Sequence, residues 1–461
     1  MTAGTATEFG TLEARLVDFA SDFTFDRLPP AAIEAASARI LDSIGVAMCA
    51  WLAPPVRIAR RLAQPTAGPL KATIWGSGVE TTPEMAGFAN GVAVRYLDLN
   101  DAWRTRDAHH PSDYIPGILA LAEATGASGE EFLAALAVAY EIMCRFTDTV
   151  PFNDAGWDQP VTGGLATALA CGRLLGLDRD AMRDALALAI VPNLATYQTR
   201  AGELSMWKGC AGPNGARNGV FAALLAAEGM TGPYAAFEGI FGIWNQTLGG
   251  TAYPVNLPGA DHTGSWGIQQ TNIKTHPVRD SCQLPIMTAV DLREALAGRG
   301  IEKLRIETYA SAHKGAVADP ELWAPQTRET ADHSMLFSVA CALLDGKVTP
   351  DSFEAARFLD ADVLDLIGRT EVVIREDFTA ATPGVRNCRI VAVAGETEVE
   401  AHRVVTLAEI ERGMPFDEVI AKFRTCTARV FTPARQDALI DAVRGLSASR
   451  DLRALSRLTI L

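Results

Sequence analysis

No two of the eight cysteines (Cys49, Cys144, Cys171, Cys210, Cys282, Cys341, Cys388, Cys426) lie close together in this chain of 461 residues. The CxxC spacing of zinc ribbons and cluster ligands is therefore missing. Most of these cysteines sit in apolar helical text, such as Cys144 in YEIMCRF and Cys341 in SVACALL, so free buried thiols in a reducing cytosol are expected. Long hydrophobic runs are missing too: none reaches about 18 residues, so no membrane span is expected. The first residues, MTAGTATEFG, have neither a basic nor an apolar segment, so no signal peptide is expected and the expected location is cytoplasmic. Positive charge is scarce. Lys and Arg number 41 against 55 Asp and Glu, a formal charge of −14, which argues against nucleic acid as a partner. The same deficit makes a local cluster of cations informative, because an anionic substrate must be attracted within a cleft. No GxGxxG follows a strand, the glycines are not in P-loop order, and the GxSxG elbow is absent.

What is present is a helix-rich chain whose texture changes near residue 270. Hydrophobic residues make up 48% and charged residues 21%, enough for a sizeable core, and the length suits two domains or one large domain with an insertion. LPPAAIEAASARILDSIGVAMC opens on prolines, then spaces Ile33, Ala36, Ile40, Leu41 and Ile44 along one helical face. ASGEEFLAALAVAYEIMCRF puts Ser128 and Glu131 in capping-box spacing ahead of a buried helix. VTGGLATALACGRLLGL, RDAMRDALALAI and GARNGVFAALLAAEGMTGP read as further helices, and their alanines predict close packing. After residue 270, IEKLRIETYASAH, EVVIRED and the run Asn387–Val405 alternate as strands do. CQLPIMTAVDLREALAG and ADHSMLFSVACALLDG between them read as helices, and helices resume after Gly413. The expected fold is mainly α. Residues 1–270 and 406–461 would form a large all-helical domain, and 271–405 a smaller α+β lid.

Polar residues concentrate in RYLDLNDAWRTRDAHHPSDYIPG, Arg95–Gly117, which sets Asp98, Asp101, Asp107 and Asp113 around His109 and His110. Adjacent imidazoles point in different directions and do not match the i,i+4 spacing of a zinc-binding helix, so no metal is expected. Interleaving with Leu97, Leu99 and Trp103 carries Asp98 and His110 into apolar surroundings, where proton affinities can be tuned. His109 and Asp107 read as loop, and Ser112 or Asp113 as the cap of the next helix. Lys208, alone in SMWKGCAGPNGARNG before a helix start, suits an anion or enolate; the plainer reading is a surface lysine. NIKTHPVRDSCQLP gathers Lys274, His276, Arg279 and Asp280 where the two textures meet, a place for a cleft or for a solvated hinge. In a cleft, Lys274 and Arg279 would meet substrate carboxylates. Arg328, Asp332 and His333 precede an apolar helix and read as cap and pocket edge. The contiguous Asp332–His333–Ser334 cannot form a triad among themselves.

Taken together, these stretches resemble the MmgE/PrpD family, which includes 2-methylcitrate dehydratases, cis-aconitate decarboxylases and an iminodisuccinate epimerase. The resemblance covers essentially the whole chain. It rests on LDLNDAW, HHPSDYIPGILALAEATGASGEEFLAALAVAYEI, GARNGVFAALLAAEGMTGP, TRETADHSMLFSVACALLDG and PFDEVIAKFR. It implies the same helical domain and lid, a homodimer, and chemistry without metal, iron–sulfur cluster or other cofactor. It also matches Asp98 to the first aspartate of a D-F-D-D-T-like motif and His110 to the histidine of an H-P pair. Lys208 matches the lysine ahead of the RNG helix, and Lys274 the lysine opening the lid.

On that basis Asp98, His110, Lys208 and Lys274 are the expected catalytic residues, and Asp101, Ala102, Gln159 and Arg279 the expected substrate contacts. The implied chemistry removes a proton α to a carboxylate. His110 or Asp98 would be the base and the other the acid, with Lys208, Lys274 and Arg279 neutralising the aci-carboxylate. Three places depart from the family pattern. Ala102 stands where threonine is common, Gln159 where many dehydratase-like members have histidine, and THPVRDSCQ follows Lys274 in place of an A-E-Y-H-like pattern. The expected function is a hydratase/dehydratase-type lyase on a small di- or tricarboxylic acid such as 2-methylcitrate. An isomerase or epimerase, a decarboxylase, and a non-catalytic carboxylate-binding protein remain alternatives that fold alone does not separate.

Overall fold

Two large hydrophobic cores organise the computed structural model, which describes residues 11–461. The larger is helical and draws on residues from Leu12 to Ile273 and again from Val419 to Leu455. The smaller runs from Val278 to Ala394 and joins helices to a sheet. The fold is mainly α, with few strands, most of them short.

Local chemistry sets the helices of the larger core. Pro30 occupies the first turn of Pro30–Cys49, where a missing N–H has no partner to lose, and Ala36 to Met48 are buried without interruption. Ser128 and Glu131 close the capping box at the head of Gly129–Thr149. Small residues then let helices approach. A Cβ on Gly219 in Ala211–Ala227 would stand 2.4 Å from the carbonyl oxygen of Gly164 in Pro160–Leu174, so only glycine fits. The helix Phe416–Thr427 returns to this core, its buried Phe423 lying against Gly45. Lys422 on that helix pairs with Asp42 at 2.6 Å and donates to the Leu99 carbonyl at 2.7 Å. The C-terminal part thereby buttresses the loop that follows Pro83–Tyr96.

The smaller core holds a four-stranded sheet in the order Thr370–Ile374, Lys303–Thr308, Val385–Ala394, Thr397–Thr406. The first pair is parallel and the others antiparallel. Ile306 and Ile390 stand opposite each other and are fully buried. The helix Asp280–Leu296 packs against Val385–Ala394 and Thr397–Thr406, and Met335–Asp345 packs on that helix. A separate small sheet pairs Asp101–Arg104 with Ala108–His109 on one side and Asn272–Ile273 on the other. Because Asp101 lies opposite Ile273, the next residue, Lys274, arrives beside Asp98. No single described helix is long and apolar enough to cross a membrane.

Candidate active site

A cavity lies where the two cores meet. Asp98, Ala102, His110 and Gln159 line it from the first, and Arg279, Asp280 and His333 from the second. Asp98 takes a backbone φ of +52°, a left-handed turn that aspartate tolerates better than most side chains. The turn folds its carboxylate back onto Arg95, 2.6 Å away. Lys208 Nζ lies 3.2 Å from the other carboxylate oxygen, and Lys274 Nζ contacts the first. Burial alone would raise the Asp98 pKa, but Arg95, Lys208 and Lys274 hold it well below the usual carboxylate range. Asp98 therefore stays ionised and is a poor proton carrier. Lys208 and Lys274 are fully buried behind it and do not reach the cavity wall. Burial pushes Lys274 down to about 8 against the opposing pull of Asp98.

Lys208 also bridges to Asp332, whose oxygens lie 2.5 and 2.6 Å from Nζ. Arg328, one turn earlier, adds a contact of 2.9 Å, and His333 Nδ1 lies 2.6 Å from Asp332 Oδ1. Cap and pocket edge is therefore too slight a role for Asp332 and His333. The cap of Met335–Asp345 is Ser334, whose hydroxyl accepts from the Phe337 N–H. Asp98, Asp332 and His333 each offer a donor atom within 4.8 Å of the others, a grouping that could suit a metal ion. The Lys208 ammonium bridges the two carboxylates and supplies positive charge at that point.

His110 Nδ1 lies 2.8 Å from the Asp101 backbone carbonyl. A carbonyl only accepts, so Nδ1 carries the proton and Nε2 keeps a lone pair. That Nε2 makes no hydrogen bond among the described residues, and the side chain lines the cavity. Burial, then Arg95 and Lys274, depress this imidazole well below its ordinary value, so it is neutral at pH 7. The Asp101 carboxylate is committed elsewhere. It accepts from the Ser112 N–H at 2.9 Å and the Tyr140 hydroxyl at 3.0 Å, and it does not line the cavity. Expected as a substrate contact, Asp101 instead orients His110 through its backbone, because donors from two neighbouring elements claim both side-chain oxygens. Gln159 does reach the wall. Its Oε1 accepts from the His110 N–H at 2.7 Å, and its Nε2 donates to Asp113 at 3.0 Å.

The rest of the polar stretch departs from a loop-and-cap reading. His109 is only 2% exposed, its Nε2 lies 3.0 Å from the Thr162 hydroxyl, and burial pushes it down to about 3. Asp107 is half-buried and accepts from the backbone N–H groups of Ala108 and Asn153. Asp113 caps no helix. It is fully buried, accepts from Asn100 at 2.8 Å, and burial raises it to about 7. Ser112 accepts from Asn100 and from the Asp101 N–H. The segment is packed among helices, so its polar groups pair with one another and with Tyr140, Gln159 and Thr162 rather than with a helix end.

Four guanidinium groups face the cavity. Arg95 is matched by Asp98, and Arg200 by Asp158 at 3.1 Å. Arg104 reaches Asp280 only at 3.7 Å, because Arg386 holds that carboxylate more closely, at 2.8 Å. Arg279 has no salt bridge among the described residues, and its Nε is out of solvent without a partner. It is wedged against Gly315, where a Cβ would come within 2.5 Å of Nη2. An enclosed guanidinium without a partner is costly, and a ligand carboxylate relieves that cost. Nothing in the sequence singles out Arg104 or Arg200, since an isolated arginine carries no spacing signal. Asp332–His333 did carry one, an acid–imidazole pair directly ahead of the apolar run that becomes Met335–Asp345.

Known proteins are similar to this chain across both cores. Residues 14–256 match the family model of the MmgE/PrpD N-terminal domain, and residues 276–448 that of the MmgE/PrpD C-terminal domain. A 2-methylcitrate dehydratase from Cupriavidus necator is 27% identical over 434 residues, which cover 87% of each chain. A cis-aconitate decarboxylase from Homo sapiens is 26% identical over 92% of this chain and 90% of its own. The cis-aconitate decarboxylase-like protein oryM from Aspergillus oryzae is 26% identical over 99% of this chain and 98% of its own.

Proposed function

The chain belongs to the MmgE/PrpD family, and from that premise we propose that it is a carbon–oxygen lyase that hydrates or dehydrates a small di- or tricarboxylic acid such as 2-methylcitrate. The observation that carries the reading is one cavity wall bearing both an unpaired guanidinium, Arg279, and the bare Nε2 of a neutral imidazole, His110. One substrate carboxylate docks on Arg279, with Arg104 and Arg200 available to the others. His110 Nε2 takes the proton α to a carboxylate, and the electron pair of the broken C–H bond moves into that carboxylate. The resulting dianion is prohibitive in water, and fixed cations in an enclosed site stabilise it without reorganising. The pair then returns to form the C=C bond as the C–O bond breaks. Asp98 stays ionised in this scheme. It positions Arg95 at the wall and ties Lys208 and Lys274 to the site.

Epimerisation or isomerisation by the same first step is the second reading, and it draws on Ala102 and Gln159. Both face the cavity, and neither side chain is an acid that could protonate a leaving hydroxide. The test is to incubate the protein with 2-methylcitrate, citrate, cis-aconitate and iminodisuccinate in deuterated buffer and follow each by NMR. New alkene signals from a hydroxy acid support the lyase. Deuterium entry or inversion without net loss supports epimerisation, and carbon dioxide release supports decarboxylation. Saturable binding with no reaction refutes an enzymatic role.

A further inference from the structure

We propose that His333, backed by Asp332, is the second proton-transfer group of this site, the acid that protonates the departing hydroxyl once His110 has taken the α-proton. This rests on the lyase reading above and deepens it. Both imidazoles line the same cavity, His110 from the larger core and His333 from the segment ahead of Met335–Asp345. Both are anchored through Nδ1, and neither Nε2 has a hydrogen bond among the described residues. What stands behind each ring differs. His110 donates to a backbone carbonyl, which is neutral and gives little support to a second proton. His333 donates at 2.6 Å to a carboxylate, which stabilises an imidazolium. Asp332 is itself fixed by Lys208 and Arg328, so the dyad keeps its geometry whether or not the ring is charged. The two histidines are therefore built for different tasks.

The charged groups around His333 set when it acquires its proton. Burial, then Lys208, push it down to about 3; Asp332 opposes them, and Arg279 adds to the depression. Asp98 Oδ2 lies 3.8 Å from Nδ1 but is committed to Lys208. A substrate carboxylate seated on Arg279 cancels that cation and brings negative charge to the cavity. Binding then draws one proton from solvent onto His333 Nε2. In turnover the C–H proton passes to His110, and the C–O electron pair leaves with the hydroxyl oxygen. The His333 proton completes water, and His110 returns its proton to solvent.

His333→Asn tests this, because the shorter amide keeps a donor to Asp332 while removing Nε2. Calorimetric titration with tricarballylate, a saturated tricarboxylate, in two buffers of different ionisation enthalpy should show the wild type taking up about one proton per site at pH 7. The variant should bind without that uptake. Its turnover should fall roughly 100-fold to 10,000-fold, while exchange of the substrate's α-proton with deuterated solvent, carried by His110, persists. Wild-type turnover in the variant overturns the proposal, and so does loss of α-exchange together with turnover when binding is intact. If the wild type neither turns over nor exchanges any of the acids, the lyase reading fails and this proposal with it. Should the variant fold poorly, proton uptake by the wild type between pH 6 and 8 decides the matter, since its absence overturns the proposal.

Discussion

Replacing Arg279 with methionine should weaken ligand binding without weakening the fold. In the empty protein the guanidinium has no salt bridge among the described residues, and its enclosed Nε has no partner. An unsatisfied polar group of this kind costs about 1–3 kcal/mol. Methionine removes that cost, keeps much of the stem's packing and fits beside Gly315, so Arg279→Met should be neutral or stabilising by up to about 2 kcal/mol. With a tricarboxylate bound, the same change removes charge-assisted hydrogen bonds worth roughly 2–3 kcal/mol net. At about 1.4 kcal/mol per factor of ten, affinity should fall roughly 30-fold to 150-fold. Calorimetric titration with tricarballylate measures the binding, and thermal unfolding of the empty protein measures the fold. Opposite signs in the two assays are the signature. Unchanged affinity refutes the role of Arg279 as carboxylate anchor, and so does a loss of several degrees in midpoint that accounts for the weaker binding.

Lys208→Met should destabilise the empty protein by about 3–5 kcal/mol, because it strips a buried cation from two buried carboxylates; a chemical unfolding midpoint within error of wild type would contradict the bridge. Lys274 is charged below its pKa of about 8 and neutral above it, so kcat/KM should fall about tenfold or more between pH 7.5 and 9.5; a level profile to pH 9.5 would show that this charge does not matter. Gly219→Ala forces a Cβ to 2.4 Å from the Gly164 carbonyl and should cost about 1–3 kcal/mol, read as a lower thermal midpoint; no loss would mean the two helices separate freely.

Local features were legible in the sequence, and distant pairings were not. The helix beginning at Pro30 and the Ser128–Glu131 box are written within a few residues of each other. So is the alternation that makes Val385–Ala394 a strand. Interleaving of apolar and charged residues brought Asp98 and His110 forward, and both line the cavity. Asp101 looks the same as Asp98 in sequence, and the difference lies in Tyr140, which comes from another helix to claim its oxygen. Asp332 lies 124 residues from Lys208, and Asp332–His333–Ser334 ahead of an apolar helix matches an ordinary cap. Ser334 is that cap and His333 lines the cavity edge, but the tie from Asp332 to Lys208 leaves no local signal. Nor does a sequence show that a guanidinium lacks a partner, since that is a property of everything packed around Arg279.

Exchange of the substrate's α-proton with solvent tests the proposed chemistry most directly. In deuterated buffer the wild type should place deuterium at the carbon α to a carboxylate of its di- or tricarboxylic acid. His110→Gln should abolish that exchange while still binding tricarballylate on Arg279. Undiminished exchange in His110→Gln would contradict the assignment of His110 Nε2 as the base.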